Sequence, residues 1–505
     1  MADEEFDVVV IGGGPGGSTT ASFVAMQGHR VLLLEKEVFP RYQIGESLLP
    51  ATVHGVCRLL GVDQEVEEAG FIRKLGGTFR WGTDPQPWSF FFSVSPHMAG
   101  PTSYAFQVER MKFDHILLKN AARVGVDVRE GCAVSNVVKE GERVVGVGYT
   151  DPQGRRRDVR ATYVVDASGN KSRTSSAFGS QRVYSDFFRN IAVFGYFNGG
   201  KRLPASPGNI FCEAFEDGWF WYIPLSDTLT SVGVVINHEW ADRIQGDQAQ
   251  SLLRLIDKAP RIRDLLADAT RVTEGVYGQV RVRKDYSYLN TQFWGNGMVL
   301  VGDAACFVDP VFSSGVHLAT YGGLLAARSI NTVLAGGIDE RRSFEEFESR
   351  YRREYGLFYE FLMSFYNLHV DERSYYWQAK QVTQATDTEL AAFVELVGGV
   401  ASLDMAFDSR QSTRSRITGT ARELEKLVKA NQSQSAEDEN LPLFQSPFMG
   451  EVMQQQAQVQ ATALIGGDED EKPVFPDGLV ASVDGLHWAR PSSPGTGRGG
   501  GRTRR

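Results

Sequence analysis

The chain has 505 residues, 42% apolar and 11% aromatic, a globular composition with room for two or three packed modules. Acidic residues outnumber basic ones, 62 to 53, so a general attraction to nucleic acid is excluded. Four scattered cysteines lack a C-x-x-C spacing and the 8 histidines lack an H-x-x-x-H spacing, which argues against a metal site and a disulfide framework.

The acidic start, Met-Ala-Asp-Glu-Glu, is unlike the basic opening of a signal peptide, and no apolar run approaches membrane-spanning length. A cytoplasmic protein without membrane contact is expected. The first element is a buried-strand pattern, Phe6–Ile11, running into Gly12-Gly13-Gly14-Pro15-Gly16-Gly17. Gly12, Gly14 and Gly17 fit G-x-G-x-x-G; a helical stretch, Ser18–Gln27, follows, and then a strand, His29–Leu34, that ends at Glu35. Glycines there permit a tight turn and close approach of a pyrophosphate to a helix N-terminus. Glu35 can accept from both ribose hydroxyls and disfavours a 2′-phosphate, so the unit predicts FAD or NAD over NADP.

Next come Gly45-Glu46-Ser47-Leu48-Leu49-Pro50, then Lys74-Leu75-Gly76-Gly77-Thr78-Phe79-Arg80-Trp81. Gln107–Asp114, which includes Arg110, precedes an apolar helix face of Ile116, Leu117 and Leu118. Tyr163–Gly169 reads as a strand ending in small residues. Residues 82–103 and 176–290 read as strands with loops. Within them, Trp219-Phe220-Trp221-Tyr222-Ile223-Pro224 has the alternation of one face of a buried strand.

The apolar run Met298–Val301 breaks at Gly302-Asp303, turns at Asp309-Pro310, and steps through Ser313-Ser314-Gly315 into a helical pattern reaching Leu325. A carboxylate at such a strand end can meet a sugar-like hydroxyl chain. The unpaired N–H groups of a helix start suit an anionic or electron-rich ligand. His317 lies close by, where capping or packing explains it as well as catalysis does. From Phe344 aromatics recur at helical spacing (Phe347, Tyr351, Tyr355, Phe358, Phe361, Phe365), which predicts a long amphipathic helix with a core-facing stripe. Residues 380–430 are again helix-like, and beyond Asn431 the chain turns polar and ends Gly/Pro/Arg-rich, as a solvated tail would.

The glycine fingerprint, Arg110, Tyr163–Gly169 and Gly302-Asp303 resemble, in that order, the flavoprotein monooxygenase superfamily built on the para-hydroxybenzoate hydroxylase fold. W-x-W-x-I-P at 219–224, with Gly45–Pro50 and the K-x-G and F-x-W pattern around Lys74, resembles the flavin-dependent halogenases. Residues 309–317 suit the branch that halogenates phenols or pyrroles on a carrier protein. The resemblance implies an α/β fold: a discontinuous Rossmann-type FAD-binding domain (1–81, 104–175, 291–335) and an inserted sheet-based substrate domain (82–103, 176–290). A helical C-terminal region (336–430) and a polar, partly disordered tail (431–505) complete it.

It further implies FAD, arriving as FADH2 from a separate flavin reductase, and chloride. The substrate would be an activated phenolic, tyrosyl-type ring borne by an acyl or peptidyl carrier protein in secondary-metabolite biosynthesis. Besides the fingerprint residues, Glu35, Arg110 and Asp303, the cofactor contacts implied are Pro15, Lys36, Arg41, Glu46, Ser47, Pro310, Gly315 and Val316. In such enzymes chloride attacks the distal oxygen of a flavin C4a-hydroperoxide to give hypochlorous acid. Chloride would rest on the N–H groups of Ser314 and Gly315.

Lys74 would be the catalytic residue, either as an ammonium that polarises hypochlorous acid or as an amine that forms a chloramine. By itself, a lysine ahead of two glycines reads as a solvated strand-edge residue. Trp219, Trp221, Ile223 and Pro224 would wall the flavin off from the substrate. Two departures matter. Ala167-Ser168-Gly169 stands where aromatic hydroxylases carry Ala-Asp-Gly, which implies no nicotinamide site. Phe312 stands where tryptophan halogenases carry a glutamate, which argues against free tryptophan. The alternative activity is an FAD-dependent aromatic hydroxylase.

Overall fold

A computed structural model describes residues 4–82, 86–94, 100–172, 174–367 and 473–491. The helix-like stretch at 380–430, Tyr375–Trp377 and the Arg-rich end therefore lie outside the described residues.

Two sheets organise what is described. In the first, four strands run parallel: Arg156–Asp166, Glu4–Ile11, Val31–Leu34 and Asp127–Arg129, in that spatial order. Met298–Leu300 adds in parallel beyond Arg156–Asp166. Val8, Val9, Val10, Leu32 and Leu33 are fully buried, as strands covered on both faces require. The Pro15–Ala25 helix follows the first strand and packs against the long Ser314–Leu334 helix. Gly16 and Gly323 set that closeness, since a Cβ on Gly323 would sit 2.8 Å from the Gly16 carbonyl oxygen.

The second sheet holds nine strands among the described residues and is largely antiparallel. Its centre is Arg182–Asn198, Leu229–Asn237, Gly218–Pro224 and Ile210–Phe215. Alternation gives its two faces different partners. Phe220, Tyr222, Val232, Val234 and Ile236 pack with the short helices Gln248–Ile256 and Pro260–Leu265. Trp219, Trp221, Ile223 and Val235 point the other way, into the core shared with the first sheet.

One boundary differs from the expectation. Gly76–Arg80 belongs to the second sheet, paired with Ile210–Phe215 and Trp88–Phe91, and not to the nucleotide unit that was expected to reach residue 81. Phe79 is buried by that pairing, an interaction no local pattern announces. The aromatic helix is present as Glu340–Asn367, and all seven aromatics of the stripe are buried. The expected polar tail also needs correction: residues 473–491 carry a small hairpin, Val480–Ala481 with Trp488–Ala489, whose Leu479, Leu486 and Trp488 are buried.

Candidate functional site

The nucleotide end is built from the first strand-to-helix turn. Gly12 has φ +98°, and a Cβ there would meet the Ala167 carbonyl oxygen at 2.6 Å; one on Gly17 would fall 1.9 Å from the Gly12 carbonyl oxygen. Gly14, by contrast, faces open space apart from one Arg41 nitrogen at 3.4 Å. That is a cradle with a cation at its lip, at the N-terminus of a helix whose first residue is Pro15. Glu35 is buried and fixed: Oε2 accepts from the Gly13 N–H at 2.6 Å and Oε1 from the Glu37 N–H at 2.9 Å. Each oxygen keeps a further lone pair for a ribose hydroxyl. Lys36 is exposed and pairs loosely with Glu37.

Arg41 and Arg110 share one buried carboxylate, Asp114, at 2.8 and 2.7 Å. Arg110 also donates to the carbonyls of Ile44 and Gly45, so it pins the loop that carries Glu46 and Ser47. Glu46 accepts from the Tyr196 hydroxyl at 2.7 Å, and the buried Ser47 hydroxyl has no hydrogen-bond partner. Asp303 follows a glycine at φ +63°. Burial raises its carboxyl to about 6, against the pull of Arg110 and Arg182. Among the described residues no hydrogen-bond donor is assigned to this carboxylate, so its oxygens are open to one. These features fit a flavin dinucleotide.

The step into the second long helix is more constrained than its sequence suggests. The Asp309 carboxylate accepts from the Val311 N–H and closes a single turn, Pro310–Phe312. Ser313 then takes φ +61°, a left-handed conformation that costs a non-glycine residue roughly 1 kcal/mol. The helix starts at Ser314, whose buried hydroxyl has no partner, and a Cβ on Gly315 would meet nothing within 4 Å. Donors at a helix start facing open space suit a small anion. Val316 is buried behind them.

Lys74 ends the strand Ile72–Lys74, which pairs with Ala105–Gln107, and is 3% exposed. It is no solvated edge residue. Its Nζ donates to the Leu48 carbonyl at 3.0 Å and to the Ser313 hydroxyl at 3.4 Å. Burial lowers the amino group from 10.5 to about 7, so amine and ammonium coexist near neutrality. The fold thus brings together residues 239 apart in sequence.

Trp219, Trp221 and Ile223 line the inner face of their strand, with Pro224 buried at its end. The Trp221 indole donates to the Ser231 hydroxyl at 3.2 Å and lies flat over Gly233, where a Cβ would clash at 2.1 Å. Trp219 donates to the Tyr366 hydroxyl at 2.6 Å, and Tyr366 donates to Asp309 at 2.9 Å. One phenol therefore ties the tryptophan strand to the turn before Ser313. Phe312 packs among Phe79, Phe361 and Phe365, an apolar setting where a glutamate would be costly.

Sequence reading missed the partners. Tyr366 lies one residue past the aromatic stripe, with no motif around it. His317 is paired with Glu354 at 2.7 Å, both fully buried, an interhelical contact. Only helix packing brings Glu354 there.

Comparison with known proteins gives the family of the chain. The family described as Tryptophan halogenase matches residues 7–100 and 94–424. A tryptophan 2-halogenase of Chondromyces crocatus is 35% identical over 378 residues, 74% of this chain and 70% of that protein. A flavin-dependent halogenase of Armillaria mellea is 32% identical over 399 residues, 74% of this chain and 77% of that protein. Among solved structures, the myxobacterial chondrochloren halogenase, an FAD-dependent halogenase, superposes with TM-score 0.76 at 53% identity, covering 96% of this chain and all of that one.

Proposed function

Because the chain belongs to the tryptophan halogenase family of flavin-dependent halogenases, we propose that it chlorinates an activated aromatic ring, phenolic and tyrosyl-type, held on a carrier protein. FAD and chloride are the cofactor and halide of this chemistry, and reduced flavin comes from a separate reductase. When bound, the reduced flavin supplies the two-electron chemistry that converts O2 and chloride to hypochlorous acid. The residues of this chain do the rest.

The single observation that carries the reading is Lys74 Nζ at 3.4 Å from the Ser313 hydroxyl, directly ahead of a helix start that opens onto free space. In this proposal Ser314 and Gly315 hold chloride through their N–H groups. Lys74, oriented by the Leu48 carbonyl and Ser313, directs hypochlorous acid onto the ring. Trp219, Trp221, Ile223 and Pro224 keep the ring from the flavin, so that chlorine and not oxygen is transferred. Gly12, Gly14, Gly17 and Glu35 would hold the nucleotide end, with Arg41 at the cradle's lip and Asp303 on the hydroxyl chain. Lys36, Ser47, Pro310 and Val316 belong to the same proposed surface. The apolar packing of Phe312 supports a phenol, whose own oxygen activates the ring, over free tryptophan.

A second reading has one observation in its favour: the Chondromyces crocatus relative is named for tryptophan. An indole substrate would replace the phenol and leave the same residues in place. The test is hypochlorous acid trapping with FAD, a reductase, O2 and chloride, in wild type and Lys74→Ala, followed by product analysis with tethered phenols and with tryptophan. The expected result is halide-dependent trapping in both proteins and chlorinated phenol in wild type only. Hydroxylated product, or trapping that ignores halide, would replace the proposal with an aromatic hydroxylase.

A further inference from the structure

Halogenation from reduced flavin, O2 and chloride consumes protons: ArH + Cl⁻ + O2 + FADH2 + H⁺ gives ArCl + FAD + 2 H2O. Among the described residues, a hydrogen-bonded chain of proton-carrying groups runs from the surface to a buried carboxyl, away from Lys74. Tyr42 is half-buried at the surface, and its hydroxyl lies 2.7 Å from that of Tyr196, which is fully buried. Tyr196 donates to Glu46 Oε1 at 2.7 Å, so Tyr42 is the donor in the first bond. Glu46 is 2% exposed, and Ser231, whose hydroxyl accepts from the Trp221 indole, is a hydrogen-bonding neighbour of its carboxylate.

We infer that Tyr42, Tyr196 and Glu46 form a proton relay between solvent and a buried carboxyl beside the tryptophan strand, a role that rests on the halogenase reading for its purpose but not for its existence. A proton from a solvent acid binds the Tyr42 oxygen; Tyr42 passes its own proton to Tyr196, and Tyr196 passes its own to Oε1. Both phenols end unchanged and the carboxylate becomes a carboxylic acid. Reversal of the same bonds returns the proton to solvent. The surroundings keep Glu46 able to switch. Burial raises it to about 7, while Tyr196, the adjacent Ser231 and Arg110 favour its charged form and Glu109 opposes it. Around Tyr42 stand Arg281, whose guanidinium lies 3.8 Å above the ring, and Arg283. Tyr277, which donates to Glu109 at 2.8 Å, packs on Tyr196.

The test follows the Glu46 carboxyl in the full-length protein with oxidised FAD, by infrared difference spectroscopy after a pH jump through neutrality. Glu46→Gln assigns the carboxylic acid band by removing it. Tyr42→Phe and Tyr196→Phe keep the rings and the packing but break the chain. The expected result is a band that titrates near neutrality in wild type and in both Phe variants, with its rise slowed roughly tenfold or more in the variants. Imidazole should restore part of the rate in Tyr42→Phe. Equal rates in wild type and both variants, or no Glu46 band near neutrality, would overturn the relay. Because the readout needs neither chloride nor substrate, a failed hypochlorous acid assay would sink the halogenase reading and leave this result standing.

Discussion

Lys74 shows how one buried residue can be a cost to the fold. Its amino group falls from 10.5 in the unfolded chain to about 7 in the folded one because burial penalises the ammonium. Between those two values the unfolded chain binds more protons, so stability rises with pH across that window and is lowest below it. Lys74→Met removes the penalty while keeping the packing; it also leaves the Leu48 carbonyl without its donor, which offsets part of the gain. The net expectation is an increase in unfolding free energy of roughly 1–3 kcal/mol at pH near neutrality, shrinking toward zero at alkaline pH. Denaturant titration at several pH values checks it; an unchanged or lower stability at neutral pH would mean that Lys74 is not charged in the unfolded reference alone.

At the scale of an element, the Gly218–Pro224 strand holds its tryptophans by what its neighbours lack. Gly233, directly opposite Trp221, offers a bare backbone for the indole, and Ser231 supplies the acceptor for its N–H. A methyl at position 233 cannot fit without moving the ring, since the contact would be 2.1 Å. Gly233→Ala should therefore cost about 1–3 kcal/mol through overpacking. It should also lower the yield of chlorinated product per hypochlorous acid formed if the tryptophans form the proposed wall, since the displaced ring would open it. Parallel measurement of the denaturation midpoint and of chlorinated product per hypochlorous acid trapped tests both halves. A stable variant with unchanged coupling would remove Trp221 from the wall.

Across the whole molecule, residues 473–491 return to clasp the two long helices. Trp488 donates from its indole to Ser329 at 2.8 Å and from its backbone N–H to Thr332 at 2.7 Å, while the guanidinium groups of Arg328 and Arg350 lie over its ring at 5.4 and 5.0 Å. Arg328 and Arg350 in turn donate to the carbonyls of Gly485 and Leu479, so buried cations of both helices depend on this return segment. Trp488→Ala leaves a cavity and strips those contacts, and should destabilise the protein by about 3–5 kcal/mol. Thermal unfolding is the measurement. A loss below about 1 kcal/mol would mean the clasp is optional.

What the sequence determined by itself was the part written locally. Glycines at fixed offsets after a strand, an acid at the end of the next strand, W-x-W-x-I-P alternation and the seven-aromatic stripe all depend on chain neighbours within one or two elements. Each stands in the fold where its pattern placed it. What only the tertiary structure decided was everything that needed two distant segments to meet. Lys74 reads as a strand-edge residue until Ser313 arrives beside it, and Tyr366 reads as core until it is found bridging Trp219 and Asp309. The reason is physical. A strand or helix is selected by the period of its own side chains, whereas a buried hydrogen bond or a lowered amine is set by desolvation and by partners that arrive from elsewhere in the chain.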